Sequence, residues 1–354
     1  MSTTATTSDS PPKMTYHRLG NSGLKISRLV LGAMGYGSPT LNGSWVHDAS
    51  ASLPLLKHAY DLGINTWDTA DVYSQGQSEQ IIAQAIKEYG MKREKLVIMT
   101  KCFFGVGDEV VGDKGEFLSG QAAVNDGGMV NRVGLSRKHI MDAVDDSVRR
   151  LGTYIDVLQI HRLDRDTPPE EIMRALNDVI ESGKVRYIGA SSMYTWEFQH
   201  LNNIAKQHNW HTFISMQNYH NLTYREEERE MHPYCAFAGI GLIPWSPLAQ
   251  GVLARPWATT ATTRVESDQF AGLLKSDSDK AIVDCVEQIA KEKGVSMAQV
   301  AIAWSLKKGV NPILGLQSVK RIDEAVGALA VELSDEEVKR LEENYKAKSV
   351  MQLW

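Results

Sequence analysis

The chain has 354 residues, 43% of them hydrophobic and 23% charged, and a net charge of −5. That balance gives no electrostatic case for nucleic acid or an anionic membrane as partner. Three cysteines, Cys102, Cys235 and Cys285, without CxxC spacing argue against a disulfide framework and against a metal site, and fit a reducing compartment.

Residues 1–14 are Ser/Thr-rich, with neither a basic n-region nor an apolar h-region, and read as a disordered tail rather than a signal peptide. A hairpin follows over residues 15–27, turning at Gly20-Asn21-Ser22-Gly23. Strand-like runs then recur at residues 28–32, 64–69, 96–101, 155–161, 185–191, 213–218, 241–246 and 311–316. Most are continuously apolar, as parallel strands buried on both faces should be. Helical patterns alternate with them at 53–62, 78–89, 136–151, 167–182, 196–208, 226–239, 280–293, 296–308, 321–329 and 334–346. Ser136 reads as a helix cap, and Pro168-Pro169 and Gly183 bracket another helix.

Eight strand-and-helix units predict a (β/α)8 TIM barrel in one domain, residues 15–346. A doubly wound sheet is the rival, but Gly32-Ala33-Met34-Gly35-Tyr36-Gly37 lacks GxGxxG spacing and no helix follows promptly. Long connections at 102–134 and 248–278 leave the carboxyl ends of strands, where barrels build their sites, and read as lids. Residues 347–354 form a C-terminal tail ending in Trp354, with no prenylation or peroxisomal signal. No apolar run approaches the roughly 18 residues of a membrane span, so a cytoplasmic protein is expected. No conspicuous apolar interface stands out, which favours a monomer.

Polar residues gather at successive strand tips. Asp68 ends the second barrel strand, with Tyr73 five residues on; Lys101 ends the third and His161 the fourth. Each alone has a bland reading: a turn or helix cap, a solvated charge, a structural histidine. In a barrel the tips surround one mouth, and a polar group there reads as catalytic. An ammonium near a phenol lowers the phenol's pKa, a carboxylate holds the ammonium, and an imidazole can hydrogen-bond a substrate oxygen. This suits protonation of a carbonyl as it gains a hydride, with Tyr73 as general acid. Without metal-ligand spacing, the hydride should come from an organic cofactor. A barrel isomerase or aldolase using Lys101 as a Schiff base is the alternative chemistry.

These residues carry a family resemblance. Asp68-Thr69-Ala70-Asp71-Val72-Tyr73, Thr100-Lys101 and Leu158-Gln159-Ile160-His161 resemble the Asp, Tyr, Lys, His tetrad of the aldo-keto reductases. Gly183 to Ser191, Gln217-Asn218 and Trp245-Ser246-Pro247-Leu248-Ala249-Gln250-Gly251 extend the match, and other segments look like fungal reductases and aryl-alcohol dehydrogenases of that family. The resemblance implies an NADPH-dependent (NADP+-forming) oxidoreductase reducing a small-molecule aldehyde or ketone. By position, Asp68, Ser191, Ser192 and Gln217 would lie against the nicotinamide and Trp245 would stack under it. Ser246, Leu248 and Gly251 would follow the pyrophosphate, and Gln317, Arg321 and Glu324 the adenosine end. Ser192 and Ala325 depart from residues frequent at those positions. Tyr36, Trp45 and Phe103 join Tyr73 and His161 as candidate substrate contacts. A partner protein of the potassium-channel β-subunit type, which binds NADPH with little turnover, shares the same fold and tetrad.

Overall fold

The computed structural model describes residues 12–107, 127–259 and 277–351. Residues 1–11 of the expected N-terminal tail, the middle of both long connections and Trp354 lie outside these residues. Strands β1 (Tyr16–Arg18) and β2 (Lys25–Ser27) form the expected antiparallel hairpin, Tyr16 opposite Ser27. Its buried Leu19 and Ile26 pack with Val30, Val97, Met99, Val157, Ile243 and Ile313 of the barrel strands. Leu19 and Ile26 supply the apolar lid that the open end of the barrel needs to keep water from its core.

The eight remaining strands are parallel: β3 (Val30–Gly32), β4 (Thr66–Asp68), β5 (Val97–Cys102), β6 (Ile155–Ile160), β7 (Val185–Ser191), β8 (Ser215–Gln217), β9 (Gly241–Leu242) and β10 (Ile313–Leu314). They pair in the order β10-β3-β4-β5-β6-β7-β8-β9. The ring closes where Asn311 donates its N–H to the Leu242 carbonyl at 3.0 Å and Ile313 donates to Pro244 at 2.9 Å. The fold is the (β/α)8 barrel expected from the alternation of elements.

The closing strands are shorter than their apolar runs. Pro244 and Pro312 have no N–H to give to the ladder, so β9 and β10 are reduced to two residues each, although Trp245 N still reaches the Asn218 carbonyl at 2.9 Å.

Around the strands run α1 (Ala49–Asp61), α2 (Gln77–Glu88), α3 (Arg137–Leu151), α4 (Pro169–Glu181), α5 (Thr195–Gln207), α6 (Met231–Ala238), α7 (Asp277–Lys293), α8 (Met297–Lys307), α9 (Val319–Gly327) and α10 (Asp335–Glu342). Ser136, Ser296 and Ser334 accept from the backbone N–H three residues on, each satisfying a donor that the first helical turn leaves unpaired. The helix expected over 226–239 is split into a 3-10 turn, Glu226–Glu228, and α6. Pro233 is tolerated only in a first turn, so it marks a start near Met231 rather than the middle of a longer helix. Beyond the barrel helices, α7 and α10 share with α8 a second apolar cluster of Ile282, Val286, Ile289, Val300, Trp304 and Leu341. No helix among the described residues is long and apolar enough to cross a membrane.

Candidate active site

The strand tips converge as the parallel register requires. Gly32 pairs with Asp68, Asp68 with Met99, and Lys101 with Gln159. Side chains two apart on a strand share a face, so Gln159 and His161 point the same way. Lys101 is fully buried and its ammonium meets Asp68 Oδ2 at 2.5 Å, the Thr69 carbonyl at 2.8 Å and the Tyr73 hydroxyl at 3.4 Å. The other oxygen of Asp68 accepts from the amides of Gln159 and Gln217, each at 2.9 Å, and Gln217 also donates to Gln159 Oε1 at 2.8 Å. Both carboxylate oxygens are thus committed to other groups, and Asp68 is a holder of Lys101 rather than a base. Asp71 N donates to the Lys101 carbonyl at 3.1 Å, while its buried carboxylate has no hydrogen-bond partner among the described residues.

The rings of Tyr73 and His161 stand edge to face, 5.9 Å between centroids, and Phe104 holds the far side of His161 at 5.0 Å. Burial, reinforced by Arg162 and Lys101, pushes His161 well below the usual imidazole range, so the ring is neutral at pH 7. Burial works against the Lys101 ammonium, but Asp68 and Tyr73 outweigh it and its pKa is raised. For Tyr73 the outcome differs from the expectation that lysine lowers the phenol. Burial is the largest influence and raises its pKa; Lys101 opposes this, but Asp68 cancels part of the lysine's effect.

Tyr73 and His161 open into a cavity of about 660 Å³ that also reaches Asp68, Ser191, Gln217, Trp45, Trp245, Ser246, Leu248, Gly251, Gln317, Arg321 and Glu324. Trp245 is held by an Nε1–H bond to Ser192 Oγ at 3.4 Å and by the Tyr219 ring at 4.5 Å. Along this wall Ser192, Ser246, Ala249 and Gln250 have φ between 46° and 55°. Such left-handed backbone costs a non-glycine residue about 1–3 kcal/mol and clusters at functional sites. Gly251, at φ +94°, leaves room that a Cβ would take from Arg255 Nη2, 2.5 Å away.

Not every candidate reaches the cavity with its polar group. Tyr36 is buried, its hydroxyl donating to the Leu316 carbonyl at 2.5 Å, and it anchors the loop after β3 to the end of β10. Phe103 is buried edge-on against Phe104 at 5.0 Å. Neither lines the cavity. Gln317 does, but its amide donates to the carbonyls of Gly35 and Trp45.

Two arginines lining the cavity were not among the sequence candidates. Arg162, next to His161, is buried at the mouth. Arg255 also lines it, with a pKa lowered by burial and by the neighbouring charge of Arg321. Two guanidiniums near enough to repel one another, Arg321 lying in the first turn of α9, would suit a polyanion. The only sequence cue to Arg162 is its place directly after His161; nothing marks Arg255 within its long connection.

A family model described as the aldo/keto reductase family matches residues 28–346. The chain is 60% identical over 344 residues to versiconal hemiacetal acetate reductase of Aspergillus parasiticus, covering 95% of this chain and 98% of that protein. It is 52% identical over 334 residues to a putative aryl-alcohol dehydrogenase of Schizosaccharomyces pombe, covering 93% and 95%. With an aldo-keto reductase of Alternaria alternata it shares 50% identity over 338 residues, covering 94% and 92%.

Proposed function

Because the chain belongs to the aldo/keto reductase family and so is an oxidoreductase acting on small carbonyl compounds, we propose that it reduces an aldehyde or ketone to the alcohol with NADPH, Tyr73 giving the proton. The observation that carries this reading is the Lys101 ammonium, fully buried between Asp68 at 2.5 Å and Tyr73 at 3.4 Å, at the floor of a cavity lined by His161. The nicotinamide supplies the hydride when bound.

The chain's own residues handle the proton. A phenol whose pKa burial has raised is protonated at pH 7, as a donor must be. When a carbonyl oxygen gains electron density it becomes the stronger base and takes the Tyr73 proton. The phenolate left behind sits beside the Lys101 ammonium, which stabilises the charge where it appears. Asp68 keeps that ammonium in place. Neutral His161 can give the same carbonyl oxygen an N–H without adding a competing acid.

The residues also fit the cofactor. Arg255 and Arg321 have no carboxylate partner among the described residues and suit the 2′-phosphate of NADPH over the bare ribose of NADH. Ser191 and Gln217 would hold the carboxamide beside Trp245; Ser246, Leu248 and Gly251 the pyrophosphate; Glu324 and Gln317 the adenosine. Tyr73→Phe tests the assignment: turnover of an aromatic aldehyde should fall by about 10²–10⁴-fold, the share a general acid contributes, while NADPH still quenches tryptophan fluorescence. Wild-type turnover in that variant would remove Tyr73 from its role.

A further inference from the structure

Arg162 is an unusual arginine for this chain. It is only 7% exposed, yet its one hydrogen bond among the described residues runs from Nη1 to the carbonyl of its own neighbour His161, at 2.5 Å. Its Nε is buried with no acceptor among the described residues. Three other arginines with little exposure hold carboxylates: Arg93 reaches Asp156 at 2.6 Å, Arg150 reaches Glu79 at 2.6 Å, and Arg225 reaches Glu228 and Glu342 at 2.7 Å each. A buried guanidinium without a counter-charge is costly, and a fold tolerates that cost where a ligand completes the pair.

Its position narrows the ligand. Arg162 follows β6 and lines the cavity with Tyr73 and His161, its guanidinium carbon 5.8 Å from the Phe104 ring that packs on His161. Arg321 follows β10, and β6 is four places along the eight-stranded sheet from β10, which is half the circumference of the barrel. The Arg255–Arg321 pair, suited to cofactor phosphate, is therefore across the mouth. Lys101 cannot serve the anion, since Asp68 already neutralises it. Among the described residues Arg162 is thus the uncompensated cation on the Tyr73 and His161 side of the mouth.

We propose that Arg162 is the anion-binding residue of the substrate site, and that the protein prefers carbonyl substrates bearing a carboxylate or comparable oxyanion beside the reacting carbonyl. The inference rests on the reading that Tyr73 and His161 receive that carbonyl. Phe104 offers an aromatic edge next to the guanidinium, so aromatic acids with a neighbouring aldehyde are suitable probes.

The experiment compares 2-formylbenzoate with benzaldehyde, each with NADPH, in the wild type, Arg162→Met and Arg162→Lys. The wild type should favour 2-formylbenzoate in kcat/KM. Arg162→Met should lower the ratio of the two kcat/KM values by about 10–150-fold, the range for losing a hydrogen bond to a charged group. Arg162→Lys, a point charge without the planar fork, should retain part of the ratio. NADPH titration checks that each variant is folded. A wild type that favours benzaldehyde, or a ratio unchanged in Arg162→Met, overturns the proposal.

A second measurement does not depend on turnover. Benzoate, titrated against tryptophan fluorescence in the presence of NADP+, should bind the wild type at least 10-fold more tightly than Arg162→Met, and benzamide should show no such difference. If neither aldehyde is reduced, the proposed reductase function fails on its own account, and this benzoate comparison alone decides Arg162. Equal benzoate affinity in both proteins would refute the anion site.

Discussion

Asp68→Asn is the most exacting perturbation of the site, because it changes one charge and almost no volume. Asp68 gives one oxygen to the Lys101 ammonium at 2.5 Å and the other to two glutamine amides at 2.9 Å each. An asparagine has one acceptor oxygen for these donors. Turned toward Lys101, it sets its NH2 against the amides of Gln159 and Gln217; turned away, it sets the NH2 against an ammonium. Either way a fully buried lysine loses its counter-charge, and breaking such a pair from one side costs about 3–5 kcal/mol. The pH dependence has a definite sign. In the wild type the folded pKa of Lys101 lies above the ordinary 10.5, so its stabilisation is fully present below that value and is lost as pH rises through the raised one. In the variant, burial is unopposed by Asp68 and the folded pKa drops, so the penalty on the ammonium is relieved as pH rises. The stability gap should therefore be widest near pH 7 and narrow toward pH 10. Urea denaturation followed by tryptophan fluorescence at both pH values measures it. A gap below about 1 kcal/mol at pH 7, the range of an exposed pair, or one constant between the two pH values, would show that Asp68 does not hold a charged Lys101.

The other predictions address the cavity and its support. Arg321→Ala and Arg255→Ala should each raise KM for NADPH by about 10–150-fold, the worth of a hydrogen bond to a charged group, with a far smaller change for NADH. Equal effects on both cofactors would remove the 2′-phosphate from the assignment. His161, held neutral by burial and by Arg162 and Lys101, should show no imidazole titration between pH 5.5 and 8 by 15N NMR, and a midpoint near the usual 6.5 would contradict its surroundings. Gly189→Ala places a Cβ 2.4 Å from Ser215 Oγ and 3.1 Å from Gln159 Cγ. It should destabilise the barrel by about 1–3 kcal/mol, as overpacking does, and impair turnover by shifting the glutamine that holds Asp68.

The elements most legible in the sequence are those whose physics is local. Largely apolar runs alternating with helical patterns identify the eight barrel strands, most of them continuous because both faces of a parallel sheet are covered. Serine caps at Ser136, Ser296 and Ser334 locate helix starts to the residue. The errors have local causes too. The helix placed at 321–329 starts two residues earlier, at Val319, because Ser318 caps it, accepting from Arg321 N at 3.2 Å. Asp48 likewise caps α1 about one turn ahead of its first large apolar residue, Leu53, since Ala49, Ser50 and Ala51 carry no periodic signal. Proline at 244 and 312 shortens strands whose hydrophobicity alone predicts six residues.

The site divides along a different line. The tetrad candidates are legible because a residue's place at a strand tip follows from chain order, and the barrel brings those tips together. Side-chain direction within a loop does not follow from chain order. Tyr36 and Trp45 belong to the same connection, yet Tyr36 turns inward to Leu316 and Trp45 faces the cavity. Net electrostatic effects are harder still. Residue types alone suggest that Lys101 makes Tyr73 more acidic, but the lysine's influence reaches the phenol only after Asp68 has offset it, and burial acts on the phenol in the opposite sense. The sign is the remainder of large opposed contributions, each set by a distance of a few ångströms. For the proposed reduction this remainder is favourable: a phenol kept protonated in the resting site, with an ammonium already beside it, would hold its proton until a carbonyl oxygen became basic enough to take it.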